Sequence, residues 1–355
     1  GFVEQSFVSK GDLSNLMRQR GVFVNPNDKR ETIPWVMGTL LSPDEFDRLR
    51  ESQKTKEDNP KINTQTIPWA SDSSLLEGLP DHFDINSVLD LEFSNFTVLG
   101  SPQFVPVDGD ADHLVLEFEV ERNDYSKTWA STTNVCKGSL ELEKVQGAGD
   151  VKVVVTHTAD ETKYVANKAS QGLIRHFKEK NLIDKDSELD QILFGRFDNA
   201  SRVNYFLALT RDISSAVLSF EDVVDLEFSP DSASTLPEGM EGMEKKIEDL
   251  RVNGHGLHET FFIVDSQYHA FVHLYHVDTR YRFDYKGVTG KCVISAGFPE
   301  YGKGRDQNAE FEVNVKSLSF DTRPKKISRK EVSMGILQEF NKAKLDAVVQ
   351  HVESV

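Results

Sequence analysis

Val-Leu-Asp-Leu-Glu-Phe-Ser at residues 88–94 is the stretch from which we predict the fold, because residues 223–229 read Val-Val-Asp-Leu-Glu-Phe-Ser. The last five letters are identical, and apolar and acidic letters alternate as in a strand with one solvated face. A second similarity follows each stretch, since residues 169–177 and 332–340 share Ser, Gly and Phe at the same spacing. Two similarities in the same order indicate an internal repeat.

Each copy is predicted to hold antiparallel strands and one closing helix. Residues 114–120 alternate as a strand, and helices are predicted over 164–180 and 328–352. The predicted fold class is therefore α+β, with a small N-terminal helical module followed by two similar antiparallel sheet-plus-helix modules. The predicted domains are a helical module at 1–54, a linker at 55–80, a first α+β repeat at 81–186, a helical connector at 187–219 and a second α+β repeat at 220–355.

The composition is ordinary for a soluble globular chain, with 355 residues, 38% hydrophobic and 28% charged. No run of about 18 apolar residues is present, so the sequence predicts no membrane partner. A basic-then-apolar leader is also absent, so secretion is not indicated. The two cysteines, Cys136 and Cys292, fall one in each predicted repeat and are expected to be buried and unpaired. We therefore predict a cytoplasmic protein.

The net charge of −17 lies entirely outside the N-terminal segment, because residues 1–61 hold ten basic and ten acidic residues. Acidity on that scale repels a phosphate backbone, so the main body of the chain is not expected to lie along nucleic acid. Two interpretations stay open. The charge keeps the protein in solution, or it forms an acidic surface that mimics nucleic acid.

Residues 10–54 are predicted to form a small group of short helices. Leu13 and Leu16 lie one turn apart, and Gly21 ends their helix. An extended link follows, because Pro26 disfavours a helical residue before it. Two further helices are predicted, the last of them after a capping serine, Ser42.

This order of helix, extended link and helix resembles the SAP family of helix-extension-helix modules, which are small DNA-binding units. The residues that carry the resemblance are Leu13, Leu16, Gly21, Val22, Lys29 and Ile33. The resemblance implies that four basic residues lie nearest the phosphates, namely Arg18, Arg20, Lys29 and Arg30. The alternative is a helical domain that docks a protein partner, since the segment is neutral overall.

A second basic group leads into the last predicted helix and comprises Arg323, Lys325, Lys326, Arg329 and Lys330. Such a local concentration of positive charge in an acidic body can contact nucleic acid or an acidic partner, or it can be a solvated helix entry. We predict these five residues, with the four N-terminal ones, as the nucleic-acid-binding residues.

Five histidines lie close together in the sequence, at positions 255, 258, 269, 273 and 276. On a predicted strand, His269 and His273 lie about 13 Å apart, which is too far to share one metal ion. We therefore predict no metal ligands and expect these side chains to pack on a sheet face. The alternative is a metal-dependent hydrolase or nuclease-like enzyme that uses the His255–His276 region.

No phosphate-binding glycine motif, nucleophile elbow or Cys-x-x-Cys pair is present, so the sequence predicts no cofactor and no catalytic residue. We predict a binding or adaptor protein that is not an enzyme. Its N-terminal module is expected to contact nucleic acid, and its acidic body is expected to dock a protein partner. The sequence leaves the oligomeric state open.

Overall fold

The computed structural model describes residues 10–22, 36, 41–45, 59–89, 95–123, 133–145, 149–211, 213, 215–231, 249–322 and 327–351. The chain divides into two compact units, residues 1–59 and 60–355. The stretch that suggested a repeat lies partly outside the described residues, which stop at 89 and resume at 95.

The N-terminal unit contains helix α1, Lys10–Gln19. Its buried residues are the apolar ones that repeat at helical spacing, and they pack with Val36 and Leu41. Gly21 follows the helix with a φ of 74°, a left-handed conformation that glycine adopts without steric cost. The backbone N–H of Ser42 donates to Glu45, and the Ser42 hydroxyl accepts from the Glu45 N–H, which is a reciprocal helix cap.

The second unit contains one large sheet. Its strands are β1 (Lys61–Pro68), β2 (Phe96–Leu99), β3 (Phe104–Val107), β4 (Asp110–Asn123), β5 (Thr133–Lys144), β6 (Asp150–His157), β7 (Asp190–Gln191), β8 (Leu218–Pro230), β9 (Leu250–Asn253), β10 (Val272–Tyr285), β11 (Val288–Gly297) and β12 (Glu312–Phe320). Its helices are α2 (Leu75–Gly78), α3 (Asp160–Glu179), α4 (Asn199–Arg211), α5 (Phe261–Val264), α6 (Pro299–Gly304) and α7 (Arg329–His351), with 3₁₀ turns at Ile85–Val88, Phe194–Arg196, Leu257–Glu259 and Ser266–Phe271.

The strand order is β2-β4-β5-β6-β1-β12-β11-β10-β8-β9, with β3 also pairing with β4 and β7 with β1. The first half of the sheet comprises β2 to β6, the second half comprises β8 to β12, and β1 joins them. Strand β1 pairs with β6 along all eight of its residues. Against β12, however, only Lys61 and Ile62 are paired, with Asn314 and Val313. We call this short junction between β1 and β12 the seam.

The long helices α3 and α7 cover opposite faces of the sheet. Ile67 of β1 belongs to the apolar cluster that α3 fills, whereas Ile62 of the same strand belongs to the cluster that α4 and α7 fill. Residues 62 and 67 point to opposite sides, because successive strand residues alternate between faces. The helix α3 therefore covers one face of the first half of the sheet, and α4 and α7 cover the opposite face of the second half. In each half, the other face is not covered by that half's helix.

The predicted fold class is wrong. The chain is dominated by one continuous antiparallel sheet of twelve strands and is not a helical module followed by two sheet-plus-helix modules. The first stretch expected to be a strand begins instead with the end of a 3₁₀ turn, Ile85–Val88, although residues 223–229 do lie in β8. A local similarity of letters does not determine pairing, which depends on distant partners.

The strand that makes the sheet continuous was hidden in the predicted linker. Residues 61–68 read Lys-Ile-Asn-Thr-Gln-Thr-Ile-Pro, and their polar letters suggested a solvated segment. In the structure Asn63, Thr64 and Gln65 are all buried, and their side chains bond to groups on neighbouring elements. The predicted helical connector at 187–219 likewise begins with strand β7 and a 3₁₀ turn before helix α4.

Candidate functional site

The outward side of β4 and β5 carries a row of carboxylates. Leu116, Phe118 and Val120 fill the core beneath α3, so the residues that alternate with them point away from it. We call this surface the acidic face, defined by Glu117, Glu119, Glu121, Glu141 and Glu143. The register places Glu117 opposite Ser139 and Glu119 opposite Lys137, so no two of these carboxylates stand directly across from each other.

A groove of about 650 Å³ lies where the acidic face meets the first turns of α7. The sheet side contributes charged and hydroxyl side chains, and α7 contributes Lys330 and Met334. The lining residues are Pro60, Leu99, Ser101, Pro102, Glu117, Phe118, Glu119, Lys137, Gly138, Ser139, Thr156, Thr158, Lys330 and Met334. The groove therefore combines charged and hydroxyl side chains with five apolar ones.

Part of the negative charge of the acidic face is not neutralised. Glu119 pairs with Lys137 at 2.6 Å, and Glu143 pairs with the ammonium of Lys152. Glu117 and Glu121 form no ion pair with any part of the chain that the structure describes. These two carboxylates are free to interact with a ligand.

One set of side chains on this face has the geometry of a metal site. Ligand atoms of His113, Glu141 and Glu143 all lie within 4.8 Å of one another. His113 Nε2 lies 2.6 Å from a carboxylate oxygen of Glu141. The set is one imidazole and two carboxylates, a combination that suits zinc and other first-row divalent ions. The Lys152 ammonium, which contacts Glu143, would have to move before an ion bound.

The histidine run does not converge on one point. His255 and His258 flank Asp222, with nitrogen-to-oxygen distances of 3.1 and 3.5 Å. His276 bonds to Asp278 at 3.0 Å. His273 Nδ1 lies at hydrogen-bond distance from the Tyr301 hydroxyl, 2.8 Å. Within the described ranges, the metal-competent set is elsewhere, at His113.

His269 does not lie on a strand as expected. It belongs to the 3₁₀ turn Ser266–Phe271, is buried, and bonds to the Ile263 carbonyl at 2.9 Å. The predicted alternation of His269 and His273 on one strand face is therefore wrong, because the strand begins only at Val272.

On the face of the second half that α4 and α7 do not cover, buried carboxylates pair with cations of the same chain. Asp225 and Asp278 stand directly opposite each other on β8 and β10, and both are buried. Arg251 pairs with Asp225, and Lys316 lies against both carboxylates. Burial opposes ionisation of Asp278, but the hydrogen bond from His276 and the Lys316 ammonium lower its pKa to about 2. This cluster therefore places two buried carboxylates against two cations.

A buried polar network crosses the seam. The Asn63 amide donates to the Phe311 carbonyl at 3.0 Å, and its oxygen lies 2.9 Å from His157 Nε2. His157 also reaches Glu312 at 3.3 Å, and Lys61 pairs with Glu312 at 3.0 Å. Burial opposes ionisation of Glu312, but the bond to His157 and the nearby lysines lower its pKa to about 2. These contacts join β1, β6 and β12 where backbone pairing is short.

On the opposite face of β1, a lysine is fully buried. Lys344 of α7 is 0% exposed, and its Nζ lies 2.8 Å from the hydroxyl of Thr64. That hydroxyl in turn donates to Asn341 at 2.6 Å. Burial lowers the pKa of Lys344 to about 7, an effect that Glu310 opposes and Lys152 reinforces. An amine held by one hydroxyl, with no carboxylate of the described residues in contact, favours its neutral form.

Of the predicted nucleic-acid-binding residues, four lie in the described part of the chain. Arg18 is exposed in the last turn of α1, whereas the Arg20 Nε donates to Glu45 at 2.7 Å. Arg329 and Lys330 are exposed at the start of α7, and Lys330 lines the groove. The remaining predicted residues, Lys29, Arg30, Arg323, Lys325 and Lys326, lie outside the described residues. Binding of nucleic acid by this set stays a prediction.

Comparisons with known proteins gave a family model of the N-terminal unit and a solved structure that aligns with most of the chain. The family model described as GAPS4b protein N-terminal domain matches residues 1–59. No curated protein matches the chain. Among solved structures, the chain is similar to DynU16 from the dynemicin biosynthetic locus, with 8% sequence identity over 83% of this chain and 96% of that chain and a TM-score of 0.16. In the described residues, no helix is long and apolar enough to cross a membrane.

Proposed function

We propose that this chain is a binding protein of the adaptor type, which holds a segment of a protein partner in the groove beside α7. The observation that carries the proposal is the groove itself, which opens onto a sheet face that the helix of its own half leaves uncovered. The charged side chains of this face must be hydrated or paired with a ligand, because part of their charge has no partner within the chain that the structure describes.

The lining of the groove favours a polypeptide over a small cofactor. Its volume of about 650 Å³ would suit either. Small-molecule sites, however, are lined mainly by apolar and aromatic groups, whereas eight of the fourteen residues that line this groove are charged or carry a hydroxyl. A lining that mixes polar and apolar groups is typical of protein interfaces that form and separate.

The same lining favours binding over catalysis. Nucleophilic catalysis needs a hydroxyl or thiol beside a general base. The described residues that line the groove include the hydroxyls of Ser139, Thr156 and Thr158, and none of these described residues is a histidine or cysteine. The Thr158 hydroxyl is already bonded to the backbone carbonyl of Lys137 at 3.0 Å. These groups are suited to accept and donate hydrogen bonds to a bound segment.

Site-specific photo-crosslinking of the full chain tests this proposal. A photo-reactive amino acid replaces Ser139 in the groove, or Ser219, an exposed serine of β8 that serves as the control. In cells of the source organism, we expect a discrete crosslinked protein from position 139 and none from position 219. Identical products from both positions, or no product from position 139, would reject the groove as a binding site.

A further inference from the structure

We infer that the segment held by this chain is cationic and extended, and that it lies along the acidic face of β4 and β5. This inference rests on the proposed function and specifies the partner of the same site. Five carboxylates on that face stand near three ammonium groups: Lys137 and Lys152, each of which already has a carboxylate partner, and Lys330 of α7, which lines the groove. The remaining negative charge calls for lysine or arginine from outside.

The acidic face also presents apolar side chains in the same rows. Leu99 pairs with Glu119, Val105 with Val115, and Val135 with Glu121, so all three point to the acidic side. Their exposed fractions are 38%, 57% and 40%. A segment that combines basic and apolar residues complements both features.

The spacing of these groups indicates an extended segment. Glu117, Glu119 and Glu121 are successive outward residues of one strand, and such residues repeat about every 7 Å. An extended peptide repeats its own outward side chains at the same distance, whereas successive side chains on one helix face are more closely spaced. An extended segment can therefore place its basic side chains at the same spacing as Glu117, Glu119 and Glu121.

The uncovered side of the second half provides a comparison within the same molecule. There the buried and half-buried carboxylates lie against cations of the same chain. Asp225 pairs with Arg251, Asp278 with Lys316, and Glu221 with Lys291. The acidic face lacks this compensation at Glu117 and Glu121 among the described residues. The difference assigns the cationic segment to the first half of the sheet.

Fluorescence anisotropy with defined peptides tests the inference on the full chain. The first peptide has the length of β5, 12 residues, with lysine alternating with valine or serine. The second replaces lysine by glutamate, and the third has the composition of the first with its lysines consecutive. We expect binding that is strongest for the first peptide, absent for the second, and weakened by salt.

Variants locate the bound peptide on the surface. The double variant Glu117→Gln with Glu121→Gln is expected to weaken binding about fivefold, because two exposed charge pairs are lost. The control Glu259→Gln with Asp284→Asn removes the same charge from exposed positions elsewhere and should change binding less than about twofold. Equal weakening in both variants, equal binding of the first and second peptides, or no binding of the first would overturn the inference.

The crosslinking experiment and the peptide-binding experiment test different claims, so each can fail without the other. A crosslinked partner at position 139 without binding of the cationic peptide would retain the proposed function and remove the charge assignment. Peptide binding that depends on Glu117 and Glu121, without a crosslinked product, would remove the groove as the partner site.

Discussion

Replacing Lys344 with methionine is expected to raise the free energy of unfolding by about 3 kcal/mol at pH 7. The lysine is 0% exposed, and its amine contacts one hydroxyl, that of Thr64. Lowering its pKa from 10.5 to about 7 corresponds to a penalty of about 5 kcal/mol on the ammonium form. Methionine has a similar length and no charge, so it removes the penalty and loses one hydrogen bond, worth about 1 kcal/mol.

The lowered pKa of Lys344 also makes the free energy of unfolding depend on pH. An unfolded lysine keeps its proton up to its ordinary pKa, whereas the folded chain releases the proton from Lys344 above about pH 7. Between these two values the unfolded state binds more protons, so stability rises with pH. From pH 6 to pH 9 this one group should add about 2–3 kcal/mol. In Lys344→Met, the free energy of unfolding should rise by that much less between pH 6 and pH 9.

Urea denaturation at several pH values measures both effects. The control is Lys342→Met, which changes a neighbouring lysine of the same helix whose side chain is 73% exposed. That variant should alter stability by less than about 0.5 kcal/mol and leave the pH profile unchanged. A destabilised Lys344→Met protein would instead mean that the ammonium is compensated inside the fold.

The individual elements with regular periodicity could be predicted from the sequence. The helices predicted at 164–180 and 328–352 correspond to α3, Asp160–Glu179, and α7, Arg329–His351. The strand predicted at 114–120 lies within β4. Apolar spacing reports which residues of an element are buried, and it does so without knowledge of the partner.

The arrangement of those elements could not be predicted in the same way. Strand β1 has a polar centre, and its residues are satisfied by groups about 250 positions away, such as the Phe311 carbonyl. Alternation showed that Glu117, Glu119 and Glu121 form a polar strand face. It could not show that Lys330 and Met334 of a distant helix form a groove with that face. From the sequence, Lys344 would be predicted to be an ordinary solvated lysine, because its burial depends on where α7 meets β1.

Replacing Asn63 with leucine is expected to lower the free energy of unfolding by about 3 kcal/mol. Asn63 is 0% exposed and supplies two hydrogen bonds, to the Phe311 carbonyl and with His157. Leucine leaves the Phe311 carbonyl without its donor and reduces His157 to its contact with Glu312. A buried polar group left unsatisfied costs about 1–3 kcal/mol, and the backbone cannot compensate at the seam. Only two residues of β1 pair with β12 there.

The matched control is Thr66→Val, three residues further along the same strand. Thr66 is half-buried, and its hydroxyl forms no hydrogen bond with the described residues, so this change should cost less than about 0.5 kcal/mol. Urea denaturation gives the two stabilities. Hydrogen exchange then shows whether amides of β1 and β12 lose protection more than those of β4. If Asn63→Leu and Thr66→Val destabilise equally, or if protection falls uniformly, the two halves are held together by their apolar clusters. If the loss is confined to Asn63→Leu and to β1 and β12, the side-chain network is what completes the sheet where its backbone ladder is shortest.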